Sequence, residues 1–175
     1  QQHASAPRSC RFRQTVAEQL EVIVVDSGDD ADLGIASDPR AAIVKRLRGD
    51  YGTRGAMFQA ALESADGAFF LAVANNDMQI TLRKSAVRTL VMAATRGEPV
   101  GAVYSDYELV SADGGKRDVH LLDWHEGRVR DGADLGRALF FPTDHLRSAG
   151  GFDGDLKAAD FYDARLKASV DRPLV

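Results

Sequence analysis

Glu21-Val-Ile-Val-Val-Asp26, running on into Ser27-Gly28-Asp29-Asp30, decides the fold. A short β-branched apolar run without polar alternation is the pattern of a strand buried on both faces, as in parallel sheets. The Asp-Ser-Gly that ends it predicts a tight turn. Working outward, Ala68-Phe-Phe-Leu-Ala-Val73 is a second continuous apolar strand, and Ala41-Ala-Ile-Val44 is a weaker candidate of the same kind. Between them Ala56 to Ala65 predicts a helix with Met57, Ala60, Ala61 and Ser64 on one face. Gly67 stands where a helix terminator is expected. Leu82 to Arg96 predicts another helix, its Ala86, Leu90, Val91 and Ala94 forming an apolar stripe before Gly97. Val100 to Tyr104 then predicts a further strand. Strand, helix, strand, helix, strand implies crossover helices joining parallel strands, so the class is α/β.

The rest of the chain adds shorter elements. Asp113-Gly114-Gly115 predicts a turn inside a hairpin, Leu139-Phe-Phe141 a short strand, Pro142-Thr143 a helix start and Asp160 to Ser169 the last helix. Neither a repeat nor a linker divides these segments. Residues 1–8 are polar and aperiodic, which suggests a linker or disordered start, and residues 9–175 read as one domain. The chain has 175 residues, 45% of them apolar and 27% charged, and its net charge is −4. That balance argues against disorder, and mild acidity argues against nucleic acid as the main partner. No apolar run approaches the roughly 20 residues that cross a bilayer. A single cysteine, Cys10, excludes an internal disulfide and a cysteine-rich zinc cluster. It suits a reducing, cytoplasmic setting, with the inner face of a membrane as a peripheral alternative.

In an open parallel sheet, ligands bind beyond the carboxyl ends of the strands. Two such ends carry polar clusters here. Asp26-Ser27-Gly28 follows the first strand: the carboxylate can accept hydrogen bonds from a ribose or a base, and Ser-Gly lets the backbone turn beside it. Asn75-Asn76-Asp77 follows the second, a set of hard oxygen donors that suits Mg²⁺ or Mn²⁺ held against a diphosphate. Ordinary turn preference also explains both clusters.

The order of the segments adds to this. Glu21 to Asp29, a small-residue helix ending Ala65-Asp-Gly67, then Ala68 to Asp77 together resemble the inverting family 2 glycosyltransferases of the GT-A fold. Those enzymes typically read E-I-I-V-V-D-D-G-S, A-x-G-E-Y-I and a D-x-D type motif in that order. Val100-Gly-Ala-Val-Tyr-Ser-Asp106 is similar to their V-Y-x-D strand, Gly150-Gly-Phe-Asp153 to their G-G-F-D turn, and Asp160-Phe-Tyr-Asp-Ala-Arg-Leu-Lys167 to their E-D-Y-D-L-x-L-R helix. The resemblance implies a mainly parallel, Rossmann-like mixed sheet flanked by helices. It also implies transfer of a sugar from a UDP-, GDP- or dTDP-linked donor to an acceptor hydroxyl of a glycan, a lipid-linked or a small molecule. On that resemblance Asp26, Ser27, Gly28 and Asn75 would contact the nucleotide-sugar. Asp77, with Asn76, would ligate Mg²⁺ or Mn²⁺, and an acidic residue of the last helix would be the general base.

Where this chain departs from the pattern, the roles shift. Ala74-Asn75-Asn76-Asp77 falls on the family's D-S-D-D, so three carboxylates shrink to one. Phe161 stands where the base is usual, flanked by Asp160 and Asp163, which lie about 300° apart around a helix on neighbouring rows. Either would serve, with Asp160 slightly favoured. Gln59 replaces an Asn of the family's A-R-N segment. The family's first strand is missing, so the expectation is a fragment, or a sheet completed by another segment or subunit. Arg54, with Arg46 and Arg48, is placed to reach a diphosphate, though a charged loop flanking a helix explains these residues equally well. Trp124 would stack on a sugar and His125 bind an acidic group on the acceptor side, or both belong to a solvated loop. The other functional class is a degenerate GT-A domain that binds a nucleotide or a protein partner without turnover.

Overall fold

The computed structural model describes residues 15–16, 19–26, 44–73, 80–121 and 135–175. The decisive run forms strand β1 (Val22–Asp26), which pairs in parallel with β2 (Val44–Arg48). The register sets Val22 opposite Val44 and Asp26 opposite Arg48, so both carboxyl ends lie on one edge. The weaker candidate at 41–44 is therefore displaced: the described strand begins at Val44, and residues 41–43 lie outside the described residues. Lys-Arg-Leu-Arg carries little apolar signal, because three of its four side chains are charged.

Helix α1 (Arg54–Ser64) starts two residues before the predicted boundary. Thr53 is its cap, accepting a hydrogen bond from the Ala56 N–H at 3.1 Å. Eleven residues of helix and five of strand are each about 16 Å long, so α1 can return the chain from one end of β1–β2 to the other. An ionic cluster fixes the far end. Lys45 Nζ reaches the Ser64 carbonyl at 2.9 Å and Asp66 at 2.6 Å, and it pairs with Glu21 at 2.9 Å. Glu21 Oε1 accepts the N–H groups of Asp66 and Gly67 at 2.6 and 2.9 Å. Burial pushes the Glu21 carboxyl up, but Lys45 and the Gly67 and Asp66 N–H groups outweigh it and leave it below the usual glutamate value. The end of α1 is thus tied to the amino ends of β1 and β2, and its start belongs to their carboxyl edge.

From that amino edge β3 (Phe69–Val73) departs, pairing antiparallel with β6 (Ala138–Pro142). Between them lie α2 (Ala86–Thr95) and the hairpin of β4 (Tyr107–Val110) and β5 (Lys116–Val119), whose turn has Gly114 at φ +84°. The strand expected at 100–104 takes a narrower form. Val103 bridges Phe140 antiparallel, and Ala102 bridges Leu174 in parallel. The class is mixed α/β as expected, but parallel pairing among the described strands is confined to β1–β2. A continuous apolar run reports burial on both faces and not the direction of its neighbour, which is why β3 read as parallel.

The last segment climbs back along α1. Helix α3 (Thr143–Ser148) sets Arg147 on the carbonyls of Leu62 and Ala65, satisfying the end of α1. Phe152 N–H donates to Gln59 Oε1 at 3.0 Å, and Thr53 Oγ1 donates to the Gly154 carbonyl at 2.5 Å. Helix α4 (Asp160–Ala168) then begins beside the first residue of α1. The core under this path holds Leu62, Phe70, Phe141 and Phe152, with Phe58 stacked on Phe152 at 5.1 Å and edge-on to Phe161 at 5.0 Å. No described helix is long and apolar enough to cross a membrane.

Candidate functional site

Two helix starts meet at the carboxyl edge of the parallel pair. Arg54 opens α1 and Asp160 opens α4, and their side chains form a two-pronged ion pair across 106 residues of sequence. Arg54 Nε donates to Asp160 Oδ2 at 2.7 Å, and Nη2 donates to Oδ1. A fork-to-fork pair of this kind sets orientation as well as attraction. Asp160 is 1% exposed, whereas the Arg54 side chain keeps 32% of its surface open. The guanidinium also lies over the Phe161 ring, 5.8 Å from its centre. Asp160 draws the Arg54 guanidinium to an even higher pKa than usual.

The backbone around the pair is tightly specified. Gly55 is buried, and a Cβ there would meet the Asp153 carbonyl oxygen at 2.1 Å, so only glycine lets α1 approach the Gly150–Asp153 turn. Gly151, at φ +60°, would carry its Cβ into Gln59 Oε1 at 2.3 Å. Just before α4, Ala159 holds φ +64°, the left-handed region that costs a non-glycine residue about 1 kcal/mol or more. This strain sits on the residue that delivers Asp160 to Arg54.

Asp163 has different surroundings. It pairs with Lys167 one turn on at 2.6 Å, and 27% of its side chain is exposed. The two acidic candidates therefore diverge: one is buried and gripped from both oxygens, the other is half-buried, its Oδ2 covered and its side chain 27% exposed. Elsewhere on the surface Asp106, of the Val-Tyr-Ser-Asp segment, accepts the Leu121 N–H and contacts His120 Nδ1, each at 2.8 Å. These contacts hold its carboxyl below the usual aspartate value, the Leu121 bond being the larger cause.

Of the residues read from sequence, Arg54 and Asp160 are brought together, with Asp163 one turn further along α4. Asp26 ends β1 opposite Arg48, which places its backbone on the same edge. Ser27, Gly28, Asn75, Asn76, Asp77, Trp124 and His125 lie outside the described residues, as do Cys10 and residues 1–8. Among the described residues no group of three or more His, Cys, Asp or Glu is disposed to hold a metal ion. Sequence reasoning missed the Arg54–Asp160 pair and the bond from Phe152 to Gln59. The only signals for either were Arg54 just before the predicted helix and Gln59 within it, and neither pointed to a partner 93 or 106 residues away.

A solved structure with the same fold is a mannosyltransferase from Pyrobaculum calidifontis in complex with GDP-Man and Mn²⁺. The likeness has a TM-score of 0.66 at 18% sequence identity, and it covers 99% of this chain and 52% of that one. The chain thus spans about half the length of that enzyme. No protein-family model matches the sequence, and no curated protein matches it.

Proposed function

We propose that this chain is an inverting glycosyltransferase domain of the GT-A fold, similar to family 2, that moves a sugar from a nucleotide-diphosphate donor to an acceptor hydroxyl. The observation that carries this reading is the likeness, over 99% of the chain, to a glycosyltransferase structure holding a nucleotide-sugar. The ordered motifs from Glu21 to Lys167 support it independently. Asp26, Ser27, Gly28 and Asn75 take the nucleotide-sugar, and Arg54 approaches its diphosphate from the start of α1. GDP-Man is the first donor to try, because the neighbour binds it. Trp124 and His125 belong to the acceptor side, and a single cysteine suits a cytoplasmic setting.

Asp77 and Asn76 would hold Mg²⁺ or Mn²⁺. Their oxygen donors fit a hard cation, with one carboxylate in place of the family's three. Such an ion, when bound, neutralises the diphosphate leaving group. The protein's own residues position the donor and move the acceptor proton. A base must come within about 3 Å of the hydroxyl it deprotonates. Asp163, whose Oδ2 is covered beside Lys167 but whose side chain keeps 27% exposure, suits that task better than the buried Asp160, so the preference between them shifts to Asp163.

The grip on Asp160 and the Phe at position 161 favour one second reading, a domain that binds donor without turnover. Nucleoside diphosphate release from GDP-Man with Mn²⁺ and a panel of sugar acceptors separates the two. Asp163→Asn is expected to cut release by about 10²-fold or more with donor binding retained. Equal release by the variant would refute the base, and donor binding without any release by the wild type would establish the second reading.

A further inference from the structure

The position of Asp160 suits a different task from the proton transfer expected of it. Both carboxylate oxygens already accept N–H groups of Arg54, and 1% exposure leaves no path for an acceptor hydroxyl. Arg54, in contrast, is held at every level of structure and still reaches solvent. Asp160 fixes the plane of its guanidinium, Phe161 lies beneath it, and Gly55 presses the following backbone onto the Asp153 carbonyl. Only residues 49–53 separate it from the carboxyl end of β2, so Arg54 lies within about 22 Å of Arg48 and within about 27 Å of Asp26 opposite it. Ala159, just before Asp160, is held at φ +64°, a left-handed conformation of the kind that clusters at functional sites.

We infer that Asp160 is a positioning residue: it acts through Arg54, holding that guanidinium in the plane from which it binds the diphosphate of the donor. This rests on the nucleotide-sugar reading above and deepens it. A guanidinium held by one fork-to-fork pair loses less side-chain freedom on meeting a phosphate than a mobile one. The benefit falls on the diphosphate and not on the nucleoside.

Calorimetric titration tests this with whichever of UDP, GDP and dTDP the wild type binds most tightly, and with its parent nucleoside. Asp160→Asn should weaken the nucleoside diphosphate about tenfold and leave the nucleoside within twofold. Asp160→Glu should restore part of the loss. In donor turnover the same Asn variant should raise KM and leave the pH profile of kcat in place. Should Asp160→Asn fold poorly, Arg54→Lys keeps the charge opposite Asp160 but loses the fork, and it should show the same selective loss. Equal weakening of diphosphate and nucleoside would overturn the inference, as would unchanged diphosphate binding or a shifted kcat profile. Binding of none of these ligands by the wild type would instead overturn the donor reading, and this inference with it.

Discussion

Removing Arg54 exposes how the two helix starts depend on one another. In Arg54→Met the stem volume stays, but Asp160, 1% exposed, loses the partner of both its oxygens. Breaking a buried ion pair from one side costs about 3–5 kcal/mol. Because a third of the Arg54 side chain faces solvent, water can reach part of the vacated space, so the lower end applies, about 3 kcal/mol. The lost contact with Phe161 adds about 0.5 kcal/mol. For a chain of 175 residues, a total of about 3.5 kcal/mol lowers the melting temperature by about 7–14 °C. Urea unfolding at pH 7, followed by circular dichroism, measures the change directly. The control is Arg54→Met combined with Asp160→Leu, which removes both charges and should recover most of the loss, since an apolar pair of similar volume is often neutral. A single variant within 1 kcal/mol of the wild type would refute the reasoning. So would a double variant no more stable than the single one.

Three further outcomes follow from the local geometry. Ala159→Gly relieves the φ +64° conformation and should stabilise by about 0.5–1 kcal/mol in the same unfolding measurement, whereas any loss of stability contradicts the strain. Gly55→Ala drives a methyl towards the Asp153 carbonyl and should cost about 1–3 kcal/mol; a neutral result would mean that α1 and the Gly150–Asp153 turn separate freely. Glu21 has a pKa lowered from 4.5, so its contribution is present above that value and is lost as pH falls through its folded value. The stability of Glu21→Gln should therefore fall less steeply than that of the wild type below about pH 4.5, and parallel curves would contradict the Lys45 cluster.

The apolar runs and terminators made much of the architecture legible. Val22–Asp26, Phe69–Val73 and Ala138–Pro142 are strands where continuous apolar residues predicted them, and α1, α2 and α4 follow their predicted spans to within a few residues. The partners of the strands were less accessible. Pairing of β3 with β6 joins residues about 70 apart, and nothing in Phe69–Val73 itself encodes an antiparallel neighbour. Val44–Arg48 was shifted because a strand with charged side chains lacks the apolar signature used to find it. At the candidate site, Arg54 and Asp160 were each singled out, but for separate tasks. Their pairing depends on the course of residues 147–160 along α1, set by Arg147, Gln59 and Thr53 contacts that no local pattern announces.

The central claim, that this fold takes a nucleotide-sugar at the carboxyl edge of β1–β2, is tested most directly by titrating the chain with GDP-Man in the presence and absence of Mn²⁺. Saturable binding, tighter with Mn²⁺ and weakened by Asp77→Ala and by Asp26→Ala, is the predicted result. No binding of GDP-Man, or of UDP, GDP or dTDP, with or without the cation would contradict it.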